Sequence, residues 1–287
     1  MLPLVHAIVV NWNGREQLLE CLSSLEKTDY PASRLVVTVV DNGSADGSQA
    51  AVRERFPRLI LLENPRNFGY VAAVNRGAEM ALEQGADFLW VFNNDVVVSP
   101  DTLRNLLKTA GSDPRIGVAG PVICAYDDEG RVVHAGYRIN PWLGRLRNLR
   151  YGVDVFRGGG KEADVDSILG CSNLIKSNAW REVGPLDPIY GIYFEETDFN
   201  ARARRQGWRV VIARDARVRH RSAATMNRHL GRRAWLLLRN LFIFQSRNAR
   251  PYHMLVFVPY YFLAHVPYFL ARGIYYGLSV KLRRRAR

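Results

Sequence analysis

After Asp215 the chain contains no acidic residue. Residues 216–287 carry 15 Lys and Arg, whereas residues 1–215 carry 25 basic against 27 acidic side chains. The net charge of +13 is therefore a near-neutral body of −2 with a tail of +15. A one-signed tail implies an anionic partner, either nucleic acid or an anionic membrane surface. The same tail is dense in large apolar residues, which have no place on a phosphate-reading surface, so nucleic acid is excluded. Cysteine is scarce too. Cys21, Cys124 and Cys171 are odd in number and far apart, which excludes a disulfide framework and a Cys-rich metal site. They read as buried thiols in a reducing compartment. The N-terminus has no basic n-region or cleavage site before Val5–Val10, so no signal peptide is expected and the protein is placed on the cytoplasmic side. No G-x-G-x-x-G follows the first strand and no G-x-x-x-x-G-K-[ST] occurs anywhere, against a dinucleotide dehydrogenase and a P-loop NTPase.

What is present is a regular alternation. Apolar, β-branched runs predict strands over 4–10, 35–40, 59–62 and 88–92. Helical spacing of apolar residues over 15–27, a capped segment over 47–55, and a stretch over 70–83 lie between them. This βαβαβαβ order implies a right-handed, doubly wound, mostly parallel sheet. Each strand runs into an Asn/Asp/Gly loop: Asn11-Trp12-Asn13-Gly14, Asp41 to Ser48, Asn64 to Gly69, and Asn93-Asn94-Asp95. One such loop is only a turn, and Asp95 alone would be a turn former or helix cap. Four on one edge of a sheet outline a polar crevice suited to a polyhydroxylated or phosphorylated ligand.

The ordered stretches Val9–Gly14, Asp41–Ser48, Asn67–Tyr70 with Asn75–Gly77, and Asn93–Val96 resemble the motifs of family 2 glycosyltransferases. Gly120–Ile123, His134–Gly136, Gly170–Lys176, Gly184–Asp187 and Tyr193–Phe199 continue the likeness, with Arg202 and Gly207-Trp208 behind. Within the family the chain is most similar to rhamnosyltransferase-type members of bacterial polysaccharide assembly. The resemblance spans roughly 5–222. It implies a GT-A fold and inverting transfer from a nucleotide-sugar, usually with a divalent metal.

Roles follow from chemistry and resemblance together. A departing nucleotide diphosphate develops negative charge, which a hard divalent cation neutralises through oxygen ligands. Asn94-Asp95 matches the family's D-x-D-type element, so Asp95 is the expected ligand of Mg²⁺ or Mn²⁺. By resemblance, Asp41 binds the base, Val10 and Asn11 line it, and Asn67, Gly69 and Asn75 lie near the ribose and phosphates. Glu195, Glu196 and Asp198 open a helix, where acids complement the dipole and Asp198 can pair with Arg202 at i+4. Crowded carboxylates also raise one another's pKa, which suits a general base. The family's base position falls on Glu196, a departure from the usual Asp, with Glu195 as second choice. Asp198 and Arg202 read as structural support. By resemblance to some GT-A enzymes His220 completes the metal shell; the alternative is a histidine that only hydrogen-bonds its loop.

Residues 254–271 hold no acid or base except His265, close to the length of a membrane span. Pro259, Pro267 and a row of tyrosines argue instead for a helix in the lipid–water interface, with Arg283, Arg284, Arg285 and Arg287 over anionic lipid. The alternative is a helical hairpin packed on the catalytic domain or on a partner copy in a homodimer. The reading is a GT-A catalytic domain over 1–224, divided at 98/99 into a nucleotide-sugar half and an acceptor half. A membrane-associating helical region over 225–287 follows. The expected donor is a dTDP-, UDP- or GDP-sugar, rhamnose by resemblance. The expected acceptor is a hydroxyl of a lipid-linked or growing polysaccharide at the cytoplasmic face of the inner membrane, bound peripherally or monotopically. The rivals are a sugar-nucleotide pyrophosphorylase, which would want a Gly-rich basic loop after the first strand, and a non-catalytic nucleotide-sugar or glycan-binding module.

Overall fold

A computed structural model describes residues 2–152, 154–156, 159–221 and 230–271. The chain opens with β1 (Val5–Asn11), α1 (Arg15–Glu26), β2 (Leu35–Asp41), α2 (Ser48–Arg55), β3 (Ile60–Glu63), α3 (Tyr70–Glu83) and β4 (Phe88–Asn93). It continues through β5 (Val96–Val98), α4 (Thr102–Ser112), β6 (Ile116–Ala125), β7 (Asp128–His134), β8 (Tyr137–Asn140), β9 (Arg145–Asn148) and β10 (Glu162–Asp164). Then come β11 (Ser172–Lys176), α5 (Ser177–Val183), α6 (Glu195–Arg205), β12 (Arg209–His220), α7 (Leu230–Asn248) and α8 (Pro251–Tyr260).

The chain divides into two compact units. The first comprises Met1–Arg138, Asn148–Gly191 and Glu195–Ser222. Its sheet runs β10-β12-β6-β11-β4-β1-β2-β3, with β5 paired to β12 and β7 to β6. The β3-β2-β1-β4 half is wholly parallel, as the alternation of strands and helices requires. Beyond it β11 runs antiparallel to both β4 and β6, and β12 pairs parallel with β6. Side chains alternate between faces along each strand. Val5, Ala7 and Val9 of β1 meet Leu18, Leu22 and Leu25 of α1, with Leu103 and Leu106 of α4 in the same core. Ile8 and Val10 meet Val74, Ala78 and Ala81 of α3, with Trp180 of α5 and Phe199 of α6. Two cores on opposite faces make the sheet doubly wound. Gly77 lets α3 approach closely, since a Cβ there would lie 2.6 Å from the Ile8 side chain.

By its apolar residues Arg209–Ala213 reads as a strand that ends there, with His220 in the loop behind it. In the structure β12 runs on to His220, carried past Arg214 and Asp215 by a break in register between Ala213 and Arg217. Charged residues hide the strand from a hydrophobicity pattern, while the bulge keeps Ala216 and Val218 buried. All three cysteines are free and buried.

The second unit comprises Ile139–Arg147, Ile192–Phe194 and Ala223–Arg287. Leu238 and Leu241 of α7 pack with Phe257 of α8 and with Tyr261. The 139–147 loop is held by Gln245, which donates to the Pro141 carbonyl at 2.7 Å, and by His265, whose Nε2 donates to the Leu143 carbonyl at 2.8 Å. Gly144 adopts φ +64, and a Cβ there would meet the Phe257 ring at 2.6 Å. Pro259 and Pro267 do not break the apolar run. Helix continues over Pro251–Ala271, with a π-helical turn at Tyr261–His265 between the prolines. A widened turn relieves the clash of a proline ring with the preceding carbonyls. The stretch is long and apolar enough to cross a membrane, with 11% of it buried. The domain boundary at 224/225 and the polybasic end with Arg283, Arg284, Arg285 and Arg287 lie outside the described residues.

Candidate active site

The carboxyl ends of β1, β2 and β4 bring three of the expected residues together. Asn11 is fully buried and bridges the other two. Its amide donates to Asp41 Oδ2 at 2.8 Å, and its Oδ1 accepts from the Asn94 amide at 2.6 Å. Asp41, 1% exposed, also accepts at Oδ1 from the Ser44 backbone N–H at 2.8 Å and the Gln49 amide at 2.7 Å. Parallel registry places Asn11 beside Asp41 and Val10 beside Asn93, so neighbouring strand ends meet at one level.

Sequence reasoning passed over two residues that extend this network. Asn42 donates to the Gly69 carbonyl at 3.1 Å and accepts from Asn64 at 2.8 Å, both asparagines being buried. Asn67, exposed, caps the Gly69 N–H at 2.8 Å, and Gly69 takes φ +93 at the entry to α3. Asn75 does not join this group: its carboxamide forms two hydrogen bonds with the Leu186 backbone, at 2.9 and 3.0 Å.

Asp95 follows β4, and its carboxylate Oδ1 lies 3.1 Å from His220 Nε2. β5 pairs antiparallel with β12, setting Val96 opposite His220, and the Arg221 N–H donates to the Asp95 carbonyl at 3.1 Å. The pair is thus fixed by backbone on both sides, with side chains 17% and 11% exposed. Among the described residues no three His, Cys, Asp or Glu side chains converge as a ready-made metal cage. One carboxylate and one imidazole suit a cation that takes the rest of its shell from water and phosphate oxygens.

α6 begins at Glu195, so the acidic cluster forms its first turn. Asp198 accepts from Arg202 Nε at 2.7 Å and from the Tyr190 hydroxyl at 3.2 Å. Arg202 also donates to the Val183 and Pro185 carbonyls at 2.6 and 2.9 Å, holding the helix against the loop that precedes it. Glu195 and Asp198 are 4% exposed. Burial pushes the Glu196 carboxyl up to about 7, against hydrogen bonds from the Thr197 and Gly170 backbone. Burial, and then the adjacent Glu196, drive Glu195 well above the usual carboxylate range. The Gly170–Lys176 stretch supports this turn. A Cβ at Gly170 would sit 3.3 Å from Glu196 Cγ, and the Gly170 carbonyl accepts from the Tyr70 hydroxyl at 3.0 Å. His134 is buried with its Nε2 unpartnered, its ring 4.3 Å from that of Tyr137. Its burial had no counterpart in the local sequence pattern.

Residues 7–164 match the profile of glycosyl transferase family 2, and residues 91–280 that of glycosyl transferase family group 2. This chain belongs to glycosyltransferase family 2. The glycosyltransferase is 30% identical over 255 residues to an N-acetylglucosaminyl-diphospho-decaprenol L-rhamnosyltransferase of Mycobacterium tuberculosis, covering 79% of each chain. It is also 26% identical over 147 residues to the galactofuranosyltransferase GlfT1 of Mycolicibacterium smegmatis, covering 51% of this chain and 48% of that one. Among solved structures it superposes on the mannosyltransferase PcManGT of Pyrobaculum calidifontis, determined in complex with GDP-Man and Mn²⁺. The TM-score is 0.66 at 21% identity, over 98% of this chain and 76% of that one. GalNAc-T7, determined with UDP, GalNAc and Mn²⁺, gives a TM-score of 0.64 at 16% identity, over 76% and 43%. The glycosyltransferase has the GT-A fold, followed by an apolar C-terminal helix.

Proposed function

We propose that this glycosyltransferase moves a sugar, rhamnose first among candidates, from a nucleotide-sugar to a hydroxyl of a lipid-linked polysaccharide precursor, with inversion at the anomeric carbon. The observation that carries the reading is the meeting of Asp95, just after β4, with His220, 125 residues away at the end of β12. Their donor atoms stand 3.1 Å apart, close to the spacing of two adjacent ligands on an octahedral ion with bonds of about 2.1 Å. Asp95 and His220 would hold Mg²⁺ or Mn²⁺, and a bound cation would neutralise the charge on the departing diphosphate. Asn11 and Asp41 order the base-binding edge. Glu196 accepts the proton of the acceptor hydroxyl as its oxygen attacks the anomeric carbon and the sugar–phosphate bond breaks. A carboxyl poised near neutrality suits that task. Asp198 and Arg202 hold the first turn of α6 in place. The catalytic domain runs to about residue 224. The segment over 225–287 lies on the anionic inner leaflet at the cytoplasmic face, where the lipid-linked acceptor is held.

The test is transfer by the purified chain. dTDP-rhamnose and N-acetylglucosaminyl-diphospho-polyprenol are the first donor and acceptor, with and without EDTA, against UDP- and GDP-sugars. The product anomer is read by NMR. Rhamnosylation that stops with EDTA and resumes with Mn²⁺ supports the reading. Donor binding without turnover for every pair favours a binding module. Nucleotide-sugar synthesis from a sugar phosphate and a nucleoside triphosphate favours the pyrophosphorylase.

A further inference from the structure

Beneath the first turn of α6 lies a cavity of about 20 Å³, room for about one water. Two buried acceptors border it without any partner: Glu195 Oε2 and Asn173 Oδ1, on residues 4% and 6% exposed. Two oxygen acceptors on residues that line one small cavity, out of reach of solvent, are left with their desolvation cost uncompensated. The remaining polar groups around the cavity are already engaged. The Tyr70 hydroxyl donates to the Gly170 carbonyl, and the Asn200 amide to Ser167 Oγ at 3.3 Å. No Lys, Arg or His lines the cavity, so an ionised Glu195 would be a buried charge whose nearest charged neighbour is another carboxylate, Glu196.

We infer that Glu195 is held as a neutral acid that donates its proton toward Asn173 Oδ1, directly or across one water, and so positions Glu196 as the only ionisable base of the pair. Neutral Glu195 satisfies both orphaned oxygens with one proton. It also spares Glu196 a like charge on the preceding residue, so that Glu196 can ionise near neutral pH. The polar residues that line the cavity with Glu195 are Glu196 and Asn200 on its own helix, Tyr70 on α3 and Asn173 on β11, with Gly170 beside them, and none supplies a countercharge. Glu195 is thus a positioning residue, and its side-chain amide analogue should serve in its place.

This inference rests on Glu196 acting as the base, but its tests can fail separately. In the infrared spectrum of the full chain at a pH well above the Glu196 titration, where Glu196 adds no such band, a protonated-carboxyl C=O band should be present and should vanish in Glu195→Gln. The pH profile of kcat/KM is the second readout. Glu195→Gln should keep the acid limb where it is and restore most of the rate that Glu195→Ala loses. An ionised Glu195 predicts the opposite: no such band, and a limb moved down by about one pH unit or more in Glu195→Gln as a negative charge is removed. Either result overturns the proposal. Should Glu195→Gln fail to fold, Asn173→Leu tests the same contact with Glu195 intact. Loss of the hydrogen bond should shift the carboxyl band, and an unchanged spectrum overturns the inference. Full activity in Glu196→Gln would instead defeat the assignment of the base while leaving the infrared result to decide the state of Glu195.

Discussion

The two units of the chain treat polarity in opposite ways. The sheet unit buries polar groups: Asn11, Asp41, Asn42, Asn64 and Asp198 lie out of solvent and are held by hydrogen bonds. The helical unit exposes apolar ones. Leu255 and Leu263 are 77% and 80% exposed, with Phe262, Tyr268 and Leu270 more than half exposed. A buried polar network is stable only when its members are satisfied, and it is then rigid, as a ligand crevice must be. An exposed apolar helix is stable only where something other than water meets it. Acidic residues divide the same way, since every one of the 27 precedes residue 216. On the function proposed above, chemistry belongs to the first unit and placement at a membrane surface to the second.

That division can be broken from the chemical side first. Asp95→Ala should abolish transfer and remove the metal dependence of nucleotide-diphosphate binding, followed by calorimetry with and without Mn²⁺. Retained turnover with unchanged metal dependence would move the metal site elsewhere. Glu196→Gln should leave donor affinity nearly intact and lower the transfer rate by roughly 10²–10⁴, the range for loss of a general base.

From the other side, Leu255→Glu with Leu263→Glu should release the chain from anionic vesicles in a flotation assay. Transfer to a soluble acceptor analogue should be kept. The unsubstituted chain should be only partly released by high salt, because screening weakens the charge attraction and leaves apolar burial in place. A chain that ignores vesicles altogether would favour a packed hairpin or a homodimer.

Asn11→Ala should cost about 1–3 kcal/mol in chemical denaturation, since it leaves buried partners at Asp41 and Asn94 without their bridge. The smallest effect is a slope. The Glu196 carboxyl is raised in the folded state to about 7, so between its ordinary range near 4.5 and about 7 the folded chain holds a proton that the unfolded chain has lost. Its contribution to stability is therefore fully present below pH about 4.5 and falls as pH rises to about 7. Melting curves of Glu196→Gln against the unsubstituted chain should diverge with rising pH over that window, the variant losing less.

Much of this was legible in the residues. The alternation of apolar runs with helical spacing over 5–93 determined a doubly wound parallel sheet, because strand and helix periods are local properties of a chain. The Asn/Asp/Gly loops marked the edge where Asn11, Asp41 and Asn94 meet, and the Asp198–Arg202 pair was readable as an i,i+4 contact. The charge asymmetry and the apolar run of 254–271 were likewise plain in composition. Other features were decided only by tertiary structure. β12 reaches His220 because a bulge carries it past two charged residues, and only its pairing with β5 sets His220 against Asp95. Asn75, drawn to the nucleotide by resemblance, is turned to the Leu186 backbone by a loop 111 residues away. Asn173 comes to line the same small cavity as Glu195 because β11 enters the sheet antiparallel between β4 and β6. Which buried side chains share a cavity is set by strand order and register, and neither is written in the periodicity of any single segment.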